Sequence, residues 1–152
     1  MKKFLIGTGV VIVLGIAYYG LSPFFKNNTL NEALPQTQSL EEGAVAQEPI
    51  VGAAAAVVPT PTHPAEGTVR LVASDGRSFL RYENFKTING PDVRVYLSKD
   101  IQAKDFIDLG PLKATEGNIN YEIPTGVDPK DYPYALVWCE DFNVLFNSAK
   151  LF

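Results

Sequence analysis

The sequence of 152 residues contains one cysteine, one histidine and one tryptophan, and its single methionine is residue 1. One cysteine excludes an intramolecular disulfide framework, zinc ribbons and redox C-x-x-C sites. One histidine excludes metal sites built on two or more histidines. A basic excess is also missing. The formal net charge is −4, which argues against a nucleic-acid partner. No phosphate loop or metalloprotease motif is present. What remains is a chain long enough for about one domain. Its hydrophobic fraction of 46% averages three unlike parts.

The first part is residues 1–25. Residues 4–25 carry no charge, and as a helix they reach about 33 Å, enough to cross a bilayer core. Hydrocarbon offers no hydrogen bonds, so such a segment must satisfy its own backbone as a helix. Lys2 and Lys3 precede it, and Tyr18, Tyr19, Phe24 and Phe25 gather at its far end. Positive charge stays in the cytoplasm and aromatic rings favour the interface. The expectation is a signal-anchor in the cell membrane, a single pass with everything after it extracytoplasmic. Gly15 and Ala17 leave a cleaved signal peptide as the alternative, although the apolar run continues past them.

Residues 26–65 hold five prolines and no aromatic residue. Composition of this kind cannot bury enough apolar surface to offset the entropy of ordering. It reads as a flexible tether with a span of about 35 Å. The run Val51–Val58 is apolar but too short to cross a membrane, and reads as free linker, with a transient helix or a strand docking on the domain as the alternatives. His63 reads as a solvated linker residue.

Residues 66–152 hold 12 of the 17 aromatic residues. Glycine and proline punctuate them every eight to twelve residues, the spacing of short strands in a sandwich or barrel. Asp75-Gly76 sits between two apolar runs and supplies a tight hairpin. Val93, Val95 and Leu97 alternate with Arg94 and Tyr96, as do Ile119, Tyr121 and Ile123 with Asn120 and Glu122, so each run has one buried and one exposed face. Phe142, Val144 and Phe146 alternate likewise. Tyr134–Cys139 is apolar on both faces and reads as a central strand. Ile101–Leu109 reads as a short helical turn or an irregular edge. The fold class expected is all-β: a compact antiparallel β-sandwich-like domain behind a transmembrane helix and a disordered linker.

The ordered set Arg81–Phe85, Asn89–Ser98, Asp108–Lys113, Gly117–Pro124 and Val137–Phe146 resembles the DM-thirteen domain family, the Skeletor-type domain labelled electron transfer. Such domains tend to have glycine where this chain has Asn147. The resemblance implies a β-rich extracytoplasmic domain with a signature cysteine, here Cys139, acting as a redox thiol or through a bound group such as haem.

The residues themselves weigh on that implication. Glu140 and Asp141 follow Cys139, and like charge disfavours a thiolate. In a strand, Cys139 shares a face with Ala135 and Val137 while Trp138 points the other way, so a small buried hydrophobe is one reading. A redox or prosthetic-group role is a second, with Asp92 and Trp138 as supporting residues. An intermolecular disulfide is a third. Asp92 reads either as a turn acceptor for backbone amides or as a group approaching Cys139. Haem would have only Cys139, a tyrosine or a lysine as ligands, which counts against it. The loop Asp128–Asp131 and the pair Glu140-Asp141 lack calcium-site spacing. Tyr132 and Tyr134 offer either a partner contact or packing. No catalytic constellation is visible. Two functions stand: a redox or electron-transfer accessory centred on Cys139 with an envelope or redox partner, or a non-catalytic surface module that binds a protein, glycan or small ligand.

Overall fold

The computed structural model describes residues 27–36 and 48–152. The expected anchor, residues 1–25, and the middle of the expected linker lie outside them. Among the described residues no helix is long and apolar enough to cross a membrane.

Eleven strands form two sheets within the described residues. They are β1 (Thr29–Asn31), β2 (Ile50–Val51), β3 (Ala55–Ala56), β4 (Val58–Pro59), β5 (Ala65–Ser74), β6 (Arg77–Thr87), β7 (Val93–Ser98), β8 (Phe106–Pro111), β9 (Glu116–Ile123), β10 (Tyr134–Cys139) and β11 (Val144–Lys150). One sheet has the order β1-β9-β6-β5-β2, with β3 also on β5; the other has the order β4-β11-β10-β7-β8. The all-β expectation holds. Val69, Leu80, Ile119 and Tyr121 of the first sheet meet Val95, Leu97, Val137 and Phe146 of the second in one buried core. Each such side chain contributes about 1.5–3 kcal/mol when fully buried.

The registers define two ends of the sandwich. At the hairpin end, Ser74 pairs with Arg77 and Ser78 with Ile123. Asp75 and Gly76 turn the chain there with φ of 54° and 69°, the two positive angles of the tightest hairpin. At the other end, Thr87 pairs with Ala65 and Lys86 with Glu116. Here the chain crosses between sheets through Ile88–Asp92, and Cys139 pairs with Val93. Two backbone bonds extend the ladders at this crossover end, one within each sheet. Thr87 N donates to Thr115 O at 2.9 Å beyond the β6–β9 pairing, and Leu112 N to Val93 O at 2.7 Å beyond the β7–β8 pairing.

The expected linker behaves differently from its composition. β1 pairs in parallel with β9, and β2, β3 and β4 pair with β5, β5 and β11. Val57 enters the core, and its N–H donates to Gly67 O at 3.0 Å. The edges of β5, β9 and β11 would otherwise present unpaired amides and carbonyls. Three-residue and two-residue strands suffice to cover them, and a forty-residue average hides pieces that short.

Other expectations resolve locally. Tyr134–Cys139 is central, between β7 and β11. Ile101–Leu109 becomes an irregular turn followed by edge strand β8, the turn held by the Asp100 carboxylate accepting from Gln102 N and Lys104 N. Tyr96, read as exposed, is buried, because Leu136 and Trp138 cover the outer face of its sheet. Phe142 belongs to no strand. Asn143 takes φ of 51°, β11 starts at Val144, and Phe142 stands 67% exposed in the turn. Tyr132 packs against the main core and Tyr134 against the outer cluster.

Candidate functional site: a thiol beneath the crossover turn

Cys139 is the last residue of β10 and is fully buried. It lies on the core face with Ala135 and Val137, while Trp138 joins the outer cluster with Tyr96 and Leu136. The strand period alone produces this division. The Cys139 thiol donates to Pro91 O at 2.9 Å. Its cover is therefore the backbone of the crossover turn.

That turn is held from several sides. Gly90 N donates to Asn89 Oδ1 at 3.0 Å. A Cβ on Gly90 would stand 2.8 Å from the Phe146 ring and 3.1 Å from Val93 Cγ2, so only glycine lets the turn sit this low. Asp92 adopts a left-handed φ of 40°, a cost of about 1–3 kcal/mol that the surroundings must offset. Its carbonyl accepts from Glu140 N at 3.0 Å, which fixes the turn to the residue after the thiol.

The sequence-named residues thus divide. Cys139 and the Asp92 backbone come together. The Asp92 carboxylate turns to Arg94, 3.3 Å away, and Arg94 also binds Asp108 Oδ2 through Nε and Nη2 at 2.9 and 2.6 Å. The Asp108 bond, ahead of the Asp92 pair, raises the Arg94 pKa. Trp138 is on the opposite face from the thiol and touches no part of the turn's hydrogen bonding.

Several participants were invisible to sequence reasoning. Tyr96 donates its hydroxyl to Glu140 Oε1 and stacks on Phe106 at 4.1 Å. Burial first, then that hydrogen bond, pushes the Tyr96 hydroxyl above its ordinary range. His63 is not a solvated linker residue: its ring stacks on Phe146 at 4.0 Å and 15°, and Nδ1 hydrogen-bonds Thr60 Oγ1 at 2.8 Å. Asn147 is buried and donates to Thr87 Oγ1 at 3.2 Å. The Gly90-Pro91 dipeptide is a local chain breaker and the one trace of this crossing in the sequence itself. The stacks and the Tyr96 pair depend on register across sheets.

Other candidates have local explanations. Asp128 accepts from Lys130 N at 2.9 Å and caps the short 3-10 turn Pro129–Asp131. Among the described residues, no three of His, Cys, Asp and Glu group as metal ligands. A cavity of about 300 Å³ at the crossover end is lined by Asn27, Pro64, Lys86, Thr87 and Ile88, among others. A second of about 300 Å³ is lined by Glu32, Arg77, Lys113 and Asn120, among others. Cys139 lines neither. Haem does not fit here: the thiol is fully buried in packed core and committed to Pro91 O.

An all-β sandwich with one thiol sealed under a crossover turn is the class of domain these features define. The family model described as electron transfer DM13 matches residues 58–151, and the chain belongs to that family. The match begins at β4, ahead of the residue 66 boundary read from composition. No curated protein and no solved structure matches the chain.

Proposed function

We propose that this chain is a membrane-tethered extracytoplasmic redox accessory whose electron-carrying group is Cys139. The family's description supplies the reaction class. The observation that supports the residue is its cover. The chain's one thiol lies at a strand end beneath the Asn89–Asp92 backbone, bonded to Pro91 O, and not in mid-core. A turn can open without unfolding a sheet.

With the turn closed, the thiol is protonated, shielded and inert. When it opens, the proton passes to water and the thiolate attacks a disulfide of a partner protein. A sulfur–sulfur bond forms between Cys139 and one partner sulfur. The other partner sulfur leaves as a thiolate, so the Cys139 sulfur is formally oxidised, the leaving sulfur is reduced, and one disulfide bond replaces another. A thiolate of a second protein, a dithiol donor, then attacks the Cys139 sulfur and releases the first partner as its dithiol. The donor's other thiol attacks the donor sulfur of the new mixed disulfide, frees the Cys139 thiolate and leaves the donor as a disulfide. Two electrons thus pass from donor dithiol to partner disulfide. Thiolate character and access set the rate, and the turn controls access.

The test is the reaction of the full chain with an aromatic disulfide reagent. Slow modification that saturates with reagent concentration, as turn opening becomes limiting, is the expected result. It disappears in Cys139→Ser. A thiol that reacts only upon global unfolding removes this reading. The exposed Ile88, Phe142 and Val144 at the same end favour a second reading, a non-catalytic surface module. In that case Cys139→Ser retains function in the cell and Phe142→Ser loses it.

A further inference from the structure

The position at which the chain enters the fold bears on where the thiol works. Asn28 is fixed at the crossover end. Its N–H donates to Thr115 Oγ1 at 3.1 Å, its Nδ2 to Lys113 O at 2.9 Å, and its carbonyl accepts from Glu116 N at 3.2 Å. The apolar run read as a membrane anchor ends at Phe25. Two residues, Lys26 and Asn27, separate Phe25 from Asn28, a leash of three Cα steps and about 10 Å when fully extended. The sandwich itself is longer. The 11 residues of β6 span about 35 Å from one end to the other. From Asn28 a short path leads to the thiol: Lys113 adjoins Leu112, Leu112 N donates to Val93 O, and Val93 pairs with Cys139.

Resting on the membrane-anchor reading above, we infer that the crossover end of the sandwich, with Asn28, Ile88, Phe142 and Val144, lies against the bilayer that holds residues 4–25. Cys139 then works at the membrane surface. The hairpin end points away. Exposed apolar side chains alone would not choose this end, since Ile50 (76%) and Ile101 (43%) are also exposed elsewhere. The leash chooses it. Phe142 at 67% and Ile88 at 36% exposure then provide aromatic and branched side chains of the kind that settle at an interface. Charge at this end is mixed: Glu66, Asp92, Glu116, Glu140 and Asp141 against Lys86, Arg94 and Lys113. The contact is therefore with a zwitterionic lipid surface, and anionic lipid does not strengthen it. The partner of Cys139 is correspondingly one held in or at the same membrane.

The chain carries its own probe. Trp138 is its single tryptophan, adjoins Cys139 and pairs with Arg94. The experiment reconstitutes the full chain in phosphatidylcholine vesicles bearing nitroxide-labelled headgroups. Quenching of Trp138 is compared with that of Trp138→Phe/Arg77→Trp, which moves the indole to the hairpin end. At least twofold stronger quenching at Trp138 is expected, and Phe142→Ser reduces it. Equal or stronger quenching at position 77 overturns the inference while leaving the anchor intact, provided the chain stays with the vesicles in alkaline carbonate. Release into the soluble fraction overturns both the anchor and the orientation.

Discussion

At the hairpin end, Gly76 and Gly126 stand with nothing within 4 Å of where a Cβ would sit. Towards the crossover end, Gly90 lies against the Phe146 ring and Gly117 against the Leu30 carbonyl. The same residue type serves two purposes. At the hairpin end it supplies backbone angles and nothing else. At Gly90 and Gly117 it lets backbone press onto a ring or onto another strand, whereas Gly110, towards the same end, meets nothing within 4 Å and supplies its angle alone. The difference shows where the molecule concentrates constraint: where the chain enters, where it changes sheets, and where it buries its thiol.

The largest expected effect is at Gly117, with φ of 116° beside β1. Gly117→Val forces a Cβ into the Leu30 carbonyl and must displace β1, at about 3 kcal/mol or more. Gly76→Ala meets open space and costs about 1 kcal/mol for its left-handed angle. Thermal unfolding of the two variants decides whether the contrast is real. Equal losses break it.

An effect of similar size comes from pH, and it tests the core that both ends share. Burial, then charge repulsion from Tyr121, pushes the Tyr82 hydroxyl far above its usual range. Burial also raises Tyr121, against the opposing hydrogen bond from Lys113 N. The unfolded chain releases these protons near pH 10 and the folded chain only above that. Folded tyrosine therefore holds more protons, and stability falls as pH rises. The contribution is whole below pH 10 and lost above it, by up to about 1.4 kcal/mol per tyrosine for each pH unit. Melting temperature should be flat approaching pH 10 and drop beyond it. Tyr82→Phe should flatten the fall.

A third prediction joins stability to chemistry. Gly90→Ala places a methyl against Phe146 and Val93, costing about 1–3 kcal/mol by overpacking. Because the same turn covers Cys139, thiol modification should accelerate at least tenfold. Gly76→Ala at the hairpin end should leave that rate unchanged. Loss of stability with no change in thiol rate would show that the turn does not gate the sulfur.

Much of the sandwich was legible because it depends on period and turn chemistry, both local. Asp75-Gly76 marks the hairpin, and the alternation of Ile119, Tyr121 and Ile123 marks an inward face. Cys139 and Trp138 fall on opposite faces for the same reason. The covering of the thiol by Pro91 is a pairing across 48 residues, and nothing in local pattern encodes it. Nor does composition show that Thr29–Asn31 will complete a sheet edge, since a three-residue strand gains its order from β9 and not from its own propensity. His63 was misread for the same reason. Its ordering comes from the Phe146 ring, 83 positions later, not from the prolines around it.

The smallest contrast concerns polar fastening at each end. Asn28→Ala removes the donation to Lys113 O and the weaker acceptance from Thr115 N at 3.3 Å. The backbone bonds of residue 28 remain, so the cost should be about 1 kcal/mol. Asp128→Ala removes the cap on an exposed three-residue turn and should cost about 0.5 kcal/mol. The sizes are close, so global stability separates them poorly. Amide exchange separates them well. Asn28 sits where β1 begins, and loosening it should speed exchange at Asn118 and Asn120, whose N–H groups donate to Asn31 and Glu32. Asp128→Ala should speed exchange only within residues 128–132. If Asn28→Ala leaves Asn118 and Asn120 protected, β1 is held by its strand pairing alone, and the chain's entry point is less firmly fixed than the crossover end requires.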